Sequence, residues 1–330
     1  MKTKTTILVL SAFFLLNFFA GAQTFDKAAS DSLLILLEQK NKAMGSLAVM
    51  ENGKPLYAKA IGYVSLDPRK NADINTKYRI GSISKMFTAT LIFQLIEEDK
   101  LSLDTKLDKF FPTVQNSHEI TIGNMLAHRS GIHSITDDAA YQQYMTQPKT
   151  KKEIVALISE GKPEFNPGER LKYSNSNFIL LGYIVEELRR QPYNDVLQKF
   201  ICSRIGLKNT YYGGKPDASK NESTSFAFRT TWEKLPETDM SIPHGAGAVV
   251  STPSDLVTFI SSLFDGKLLK KESFDSMMDI RDGMGMGIQQ FPYGSMKVYG
   301  HGGGIDGFNS LLCYLPESKV AVCYCSNGTV

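Results

Sequence analysis

The sequence predicts an α/β protein of the α+β type, an antiparallel sheet flanked by helices and joined to a mostly helical subdomain. Three observations carry this. Extended segments at 46–51 and 55–64 surround Asn52-Gly53, a hairpin signal. Helical periodicity then dominates from Ser84 to Ile205. Extended segments return at about 283–326, so strands from both ends of the chain must meet in one sheet. The division expected is an α/β part at about 23–80 and 240–330, with a helical part at about 81–239 forming the other wall of a cleft.

The elements follow in order. Lys2 and Lys4 precede an apolar run from Ile7 to Ala20 and the small residues Ala20-Gly21-Ala22, the pattern of a secretory signal peptide over residues 1–22. That run, about 14 residues, is short for a bilayer span. An amphipathic helix is expected from Lys27 to Lys42, before the hairpin. From Met86 to Ile96 the pattern is apolar nearly all round, as in a helix enclosed by protein. Thr150 and Glu153 form a capping box for a helix stopped by Gly161 and Pro163. Phe178, Ile179, Leu181, Ile184, Val185 and Leu188 mark another helix, and Thr252, Pro253 and Asp255 open one closed near Gly266. Gly283-Met284-Gly285-Met286-Gly287 lacks the strand and helix of a nucleotide loop and reads as a closely packed strand. Phe308–Leu315 and Val320–Cys325 form a last hairpin around Pro316-Glu317-Ser318-Lys319.

Chemistry concentrates in three short stretches. Ser82 and Lys85 lie three apart where an extended run becomes helical, so the amine can reach the hydroxyl from one helix face. A helix start also aims free N–H groups at any oxyanion forming there. A hydroxyl needs a base, and a lysine serves as one when desolvation lowers its pKa. A second copy of this spacing, Ser159 to Lys162, is interrupted by the helix stop and carries no such meaning. Tyr173-Ser174-Asn175 follows the turn Asn166-Pro167-Gly168 and reads as a loop able to present a phenol and an amide to a cleft. Gly300-His301-Gly302-Gly303-Gly304 lies between two extended segments, and glycines within a strand mark a close approach to the backbone.

Together, Ser-x-x-Lys, Tyr-x-Asn and His-x-Gly in this order resemble the serine β-lactamase and penicillin-binding protein superfamily, in its class C and DD-peptidase branch. Ile120-Thr121-Ile122 leading to His128-Arg129-Ser130-Gly131, Pro167-Gly168, and Gly245-Ala246-Gly247 leading to Ser251-Thr252-Pro253-Ser254-Asp255 extend the likeness across nearly the whole mature chain. The resemblance implies a β-lactamase/transpeptidase-like fold. It implies that Ser82 becomes acylated, that Lys85 and Tyr173 share proton transfer, and that Asn175 orients Lys85 and the substrate amide. His301 would stand where relatives carry the lysine of Lys-Thr-Gly. Backbone N–H groups of Ser82 and Gly304, beside Gly303, would form the oxyanion hole. Gly302 replaces a threonine that helps hold a substrate carboxylate, which weakens the case for efficient turnover of β-lactams or D-Ala-D-Ala. Relatives usually continue into a final helix across the sheet; with the last residue at Val330, the resemblance implies a missing helix or an uncovered apolar face.

Composition limits the alternatives. Loss of the leader with its two lysines lowers the formal charge from +3 to +1, and no long basic run appears, which argues against nucleic acid. His118, His128, His133 and His244 are scattered, so no metal or cofactor is expected. Cys202 reads as a buried apolar residue; Cys323 and Cys325 share one strand face, and hairpin register decides whether Cys313 meets either. The expected protein is a periplasmic or secreted serine hydrolase of about 308 residues, without integral membrane association after leader removal. Its expected partner is a small-molecule or peptide substrate: a β-lactam, an acyl-D-amino-acid peptide or an ester. A short-chain esterase using the same residues is one alternative, and a catalytically silent ligand-binding protein is another. No Gly-x-Ser-x-Gly elbow is present, so an α/β-hydrolase esterase is excluded.

Overall fold

The computed structural model describes residues 25–330, so the expected leader at 1–22 lies outside the described residues. Six strands make the main antiparallel sheet: β1 (Gly45–Glu51), β2 (Lys54–Ile61), β3 (Gln289–Tyr293), β4 (Met296–Ile305), β5 (Phe308–Leu315) and β6 (Val320–Ser326), in the spatial order β3-β4-β5-β6-β1-β2. The two ends of the chain meet where β1 pairs with β6, Gly45 opposite Ser326 and Glu51 opposite Val320. At the β1–β2 hairpin, Asn52 and Gly53 both take positive φ, 52° and 73°, as a tight turn between right-twisted strands requires.

Helices cover both faces of the sheet. Helix α1 (Lys27–Gln39) lays Leu34 and Leu37 over Leu47, Val49 and Val322 on the outer face. It ends sooner than Lys42 because Asn41 turns left-handed, φ 52°, and the Lys42 N–H reaches back to the Leu37 carbonyl. On the inner face α5 (Pro253–Phe264) packs against β1, β5 and β6, and α2 (Ser84–Glu97), α3 (Lys151–Glu160) and α4 (Asn175–Arg189) gather behind it around the main core. Helix α2 runs through the middle, with every residue from Ser84 to Leu95 buried. The Thr150–Glu153 capping box forms, and Thr252 caps α5 with Pro253 in its first turn.

Register settles the cysteines. Cys313 pairs with Val322 and Leu312 with Cys323, so Cys313 faces the outer side with Val298 and Leu315 while Cys323 and Cys325 face the inner core. All four thiols are free and buried, with the Cys323 and Cys325 sulfurs 3.7 Å apart. The segment 283–287 is not a strand: Gly283 and Gly287 have φ of 77° and 79°, incompatible with an extended ladder, and β3 starts only at Gln289. Its close packing is real, since a Cβ on Gly287 would lie 2.6 Å from the Ala89 side chain.

Candidate active site

Residues Gly81–Ile83 form a single tight turn that leads directly into α2, which puts Ser82 one turn ahead of the helix and half-exposed, with Lys85 fully buried below it. The Lys85 Nζ lies 3.0 Å from the Ser82 Oγ, 2.7 Å from Asn175 Oδ1 and 2.8 Å from the Ala246 carbonyl oxygen. Burial pushes the Lys85 pKa well below the usual ammonium range. A neutral amine has two N–H donors and one lone pair. The two carbonyl oxygens take the donors, and the lone pair is left for the Ser82 hydroxyl.

Each partner of Lys85 is itself held. Asn175 is the first residue of α4 rather than part of the preceding loop, because Ser174 takes the extended N-cap conformation. Its Nδ2 donates to Thr136 Oγ1 (2.8 Å) and its backbone N–H to Ser134 Oγ (3.1 Å), which fixes the amide with its oxygen towards Lys85. The short helical turn His244–Ala246 is pinned where Thr88 Oγ1 donates to the Gly245 carbonyl at 2.6 Å.

The opposite wall is β4. A Cβ on Gly303 would lie 2.0 Å from the Ile80 carbonyl oxygen, and one on Gly81 2.8 Å from the Gly304 nitrogen. Only glycine lets the strand and the serine turn touch backbone to backbone, which places the peptide groups of Ser82 and Gly304 side by side. Gly302 is different: the nearest atom to a Cβ there is the Ser310 carbonyl oxygen at 4.0 Å. A buried ion pair ties the two walls together beyond the glycines. Arg79 Nη1 lies 3.0 Å from Asp306 Oδ2, and Arg79 also donates to the carbonyls of Thr238 and Gly214. Asp306 accepts from the Thr238 N–H and hydroxyl. This clamp joins the residue before Ile80 to the end of β4.

Tyr173 and His301 complete the group around Ser82 and Lys85. Their rings are 6.2 Å apart, and the Lys85 Nζ lies 4.9 Å from the Tyr173 ring centre. Burial raises the Tyr173 pKa, against a smaller downward pull from the Ser82 hydroxyl; the phenol is near that hydroxyl but has no partner at hydrogen-bonding distance. Burial pushes His301 down to about 3. His301 Nε2 is also buried and unpartnered. Burial thus favours the neutral form of the lysine, the phenol and the imidazole alike.

The structure thus gathers Ser82, Lys85, Tyr173, Asn175, His301, Gly303 and Gly304 around one crevice. It adds residues that the sequence reading left without a role: His128, whose ring stacks on Tyr173 with centroids 4.2 Å apart, Thr136, and the Ala246 carbonyl. His128 and Ala246 lie in stretches already noted for family likeness; Thr136 carries no signal, since its contact depends on a loop path. Among the described residues, no group of three His, Cys, Asp or Glu is arranged to hold a metal ion, and no helix is long and apolar enough to cross a membrane.

Comparison with known proteins agrees with this geometry. Penicillin-binding protein 4* of Bacillus subtilis (strain 168) is 25% identical over 320 residues, covering 90% of this chain and 70% of that protein. The D-stereospecific amidohydrolase of Streptomyces sp. superposes with a TM-score of 0.79 at 26% identity, covering 92% of this chain and 95% of the other. The D-amino acid amidase of Ochrobactrum anthropi SV3, crystallised with L-phenylalanine, gives 0.78 at 26% identity, with 91% of each chain covered. Residues 36–330 match the β-lactamase family, and the chain belongs to it as a serine hydrolase of the β-lactamase/transpeptidase fold.

Proposed function

We propose that Ser82 is the nucleophile of an acyl-enzyme hydrolase and Lys85 its base. The observation that carries this is the buried Lys85 amine, whose two carbonyl acceptors leave its lone pair 3.0 Å from the Ser82 oxygen. On attack, the Ser82 proton passes to Lys85 Nζ as the Oγ–acyl bond forms. Tyr173, still protonated because its pKa is raised, gives its proton to the leaving group and is reprotonated from Lys85. Water then reverses the sequence and frees Ser82. The N–H groups of Ser82 and Gly304 hold the developing oxyanion, a contribution of about 10²–10³ in rate for one such donor.

The favoured substrate is an amide or ester with an uncharged leaving group, such as a D-aminoacyl amide, rather than a peptide ending in a free carboxylate. Along β4 the cleft offers Gly302, Gly303 and Gly304 beside a neutral His301, so that strand supplies neither a side-chain hydroxyl nor a cation for a carboxylate. Similarity to the D-stereospecific amidohydrolase and the D-amino acid amidase supports the same choice. Steady-state kinetics on D-phenylalanine amide, a p-nitrophenyl ester and an N-acyl-D-Ala-D-Ala peptide test it. The expected preference against the carboxylated peptide is about 10–100-fold in kcat/KM, the worth of one charge-assisted hydrogen bond. Gly302→Thr should narrow that gap; a wild-type preference for the carboxylated peptide overturns the substrate choice.

Export to the periplasm or medium is proposed on Lys2, Lys4 and the run from Ile7 to Ala20. N-terminal sequencing of the exported fraction should begin at Gln23; full-length protein confined to the cytosol contradicts it.

A further inference from the structure

The segment Lys172-Tyr173-Ser174 is gripped at three points by one residue that the catalytic scheme does not use. His128 is fully buried and holds a left-handed backbone, φ 54°, a conformation in which a bulky side chain carries strain. That conformation turns its carbonyl and its ring to the same neighbour. The carbonyl oxygen accepts the Lys172 N–H at 3.0 Å. The ring Nδ1 accepts the Ser174 N–H at 3.1 Å. Between these two bonds the imidazole lies against the Tyr173 ring, 4.2 Å between centroids and 27° between planes, while Phe178 backs it at 5.1 Å.

Consecutive residues 172, 173 and 174 are thus each held by a different part of His128. Because Nδ1 accepts, the proton of the neutral ring sits on Nε2. Burial keeps the ring neutral and so preserves that acceptor. The Tyr173 hydroxyl has the Ser82 hydroxyl nearby but no partner at hydrogen-bonding distance, so its tip is only weakly held in the resting enzyme. Its aim comes from the ring and backbone contacts behind it, and His301 stands only at 6.2 Å on the other side.

We infer that His128 is the positioning residue for Tyr173, a clip that holds the phenol in its proton-transfer pose without touching substrate. The inference rests on the proposed role of Tyr173 in acyl transfer. A reacting group displaced by about 1 Å can lose about 10²-fold in rate, so loosening the clip is visible in the chemical step and not in ground-state binding.

The test is a double-mutant cycle on acylation, measured as single-turnover release of p-nitroaniline from a D-phenylalanine p-nitroanilide, whose leaving nitrogen must be protonated. Two substitutions at 128 guard against misfolding: His128→Asn, since asparagine tolerates the left-handed backbone, and His128→Phe, which keeps the stack and loses the acceptor. In the wild-type background each should slow acylation about 10–100-fold, with the substrate dissociation constant, read from the concentration dependence of the single-turnover rate, within about 2-fold. In a Tyr173→Phe background the same changes should cost less than about 3-fold, since the group they aim is already gone. Full, additive losses in that background overturn the clip while leaving the role of Tyr173 intact. If Tyr173→Phe alone leaves acylation unchanged, the proton-transfer role of Tyr173 falls, and the clip falls with it.

Discussion

The two walls of the crevice are built by opposite means. On the α2 side, Lys85 is saturated: Ser82, Asn175 and Ala246 occupy all its hydrogen-bonding capacity. On the β4 side, His301 Nε2 has no partner, and the Tyr173 hydroxyl between the walls has none. Buried polar atoms are nearly always paired, so unpaired ones facing a crevice mark where a ligand supplies what the protein withholds. In the proposed scheme the saturated wall sets the protonation state of Lys85, and the unsaturated wall is left for a substrate.

Three experiments sharpen that contrast. The largest effect is expected from Lys85→Met, which removes the base; acylation measured by stopped flow should fall about 10³–10⁴-fold, and a loss under 10-fold would move the base elsewhere. Next comes the contact between walls. Gly303→Ala drives a methyl into the Ile80 carbonyl and should cost about 2–4 kcal/mol in urea unfolding, whereas Gly302→Ala, with room to spare, should cost under about 1 kcal/mol. Equal costs would mean that the strand does not seat on the serine turn as described. The smallest effect is in the pH profile. Protonated Lys85 has no lone pair, so kcat/KM should drop as pH falls through its lowered pKa. His301, at about 3, is neutral across the neutral range, and His301→Gln should lower the rate about 10-fold without moving that acid limb. A limb that shifts with His301→Gln would assign the titration to the imidazole.

The α2 wall was far more legible in the sequence than the β4 wall. Ser82 and Lys85 sit one helical turn apart, so their contact follows from local geometry, and the apolar run from Met86 to Ile96 already implied the burial that depresses the amine. Strands β5 and β6 were readable from two extended runs around a Pro-led turn, and their register then sorted the cysteines. The Arg79–Asp306 clamp was not readable, because its two residues lie 227 positions apart and each alone resembles an ordinary surface charge. The same holds for Thr136 and His128, whose roles depend on loop paths and a left-handed backbone rather than on periodicity. The glycine pattern of Gly283–Gly287 shows close packing but not the sign of φ, so it suggests a strand where the structure has none.

The central claim is that Ser82 carries the acyl group. Intact-protein and peptide mass spectrometry after acid quench of a p-nitrophenyl ester reaction tests it most directly. One acyl adduct on the peptide containing Ser82, absent from Ser82→Ala protein that remains folded, is the predicted result. Continued turnover by Ser82→Ala, or an adduct on another residue, would contradict it.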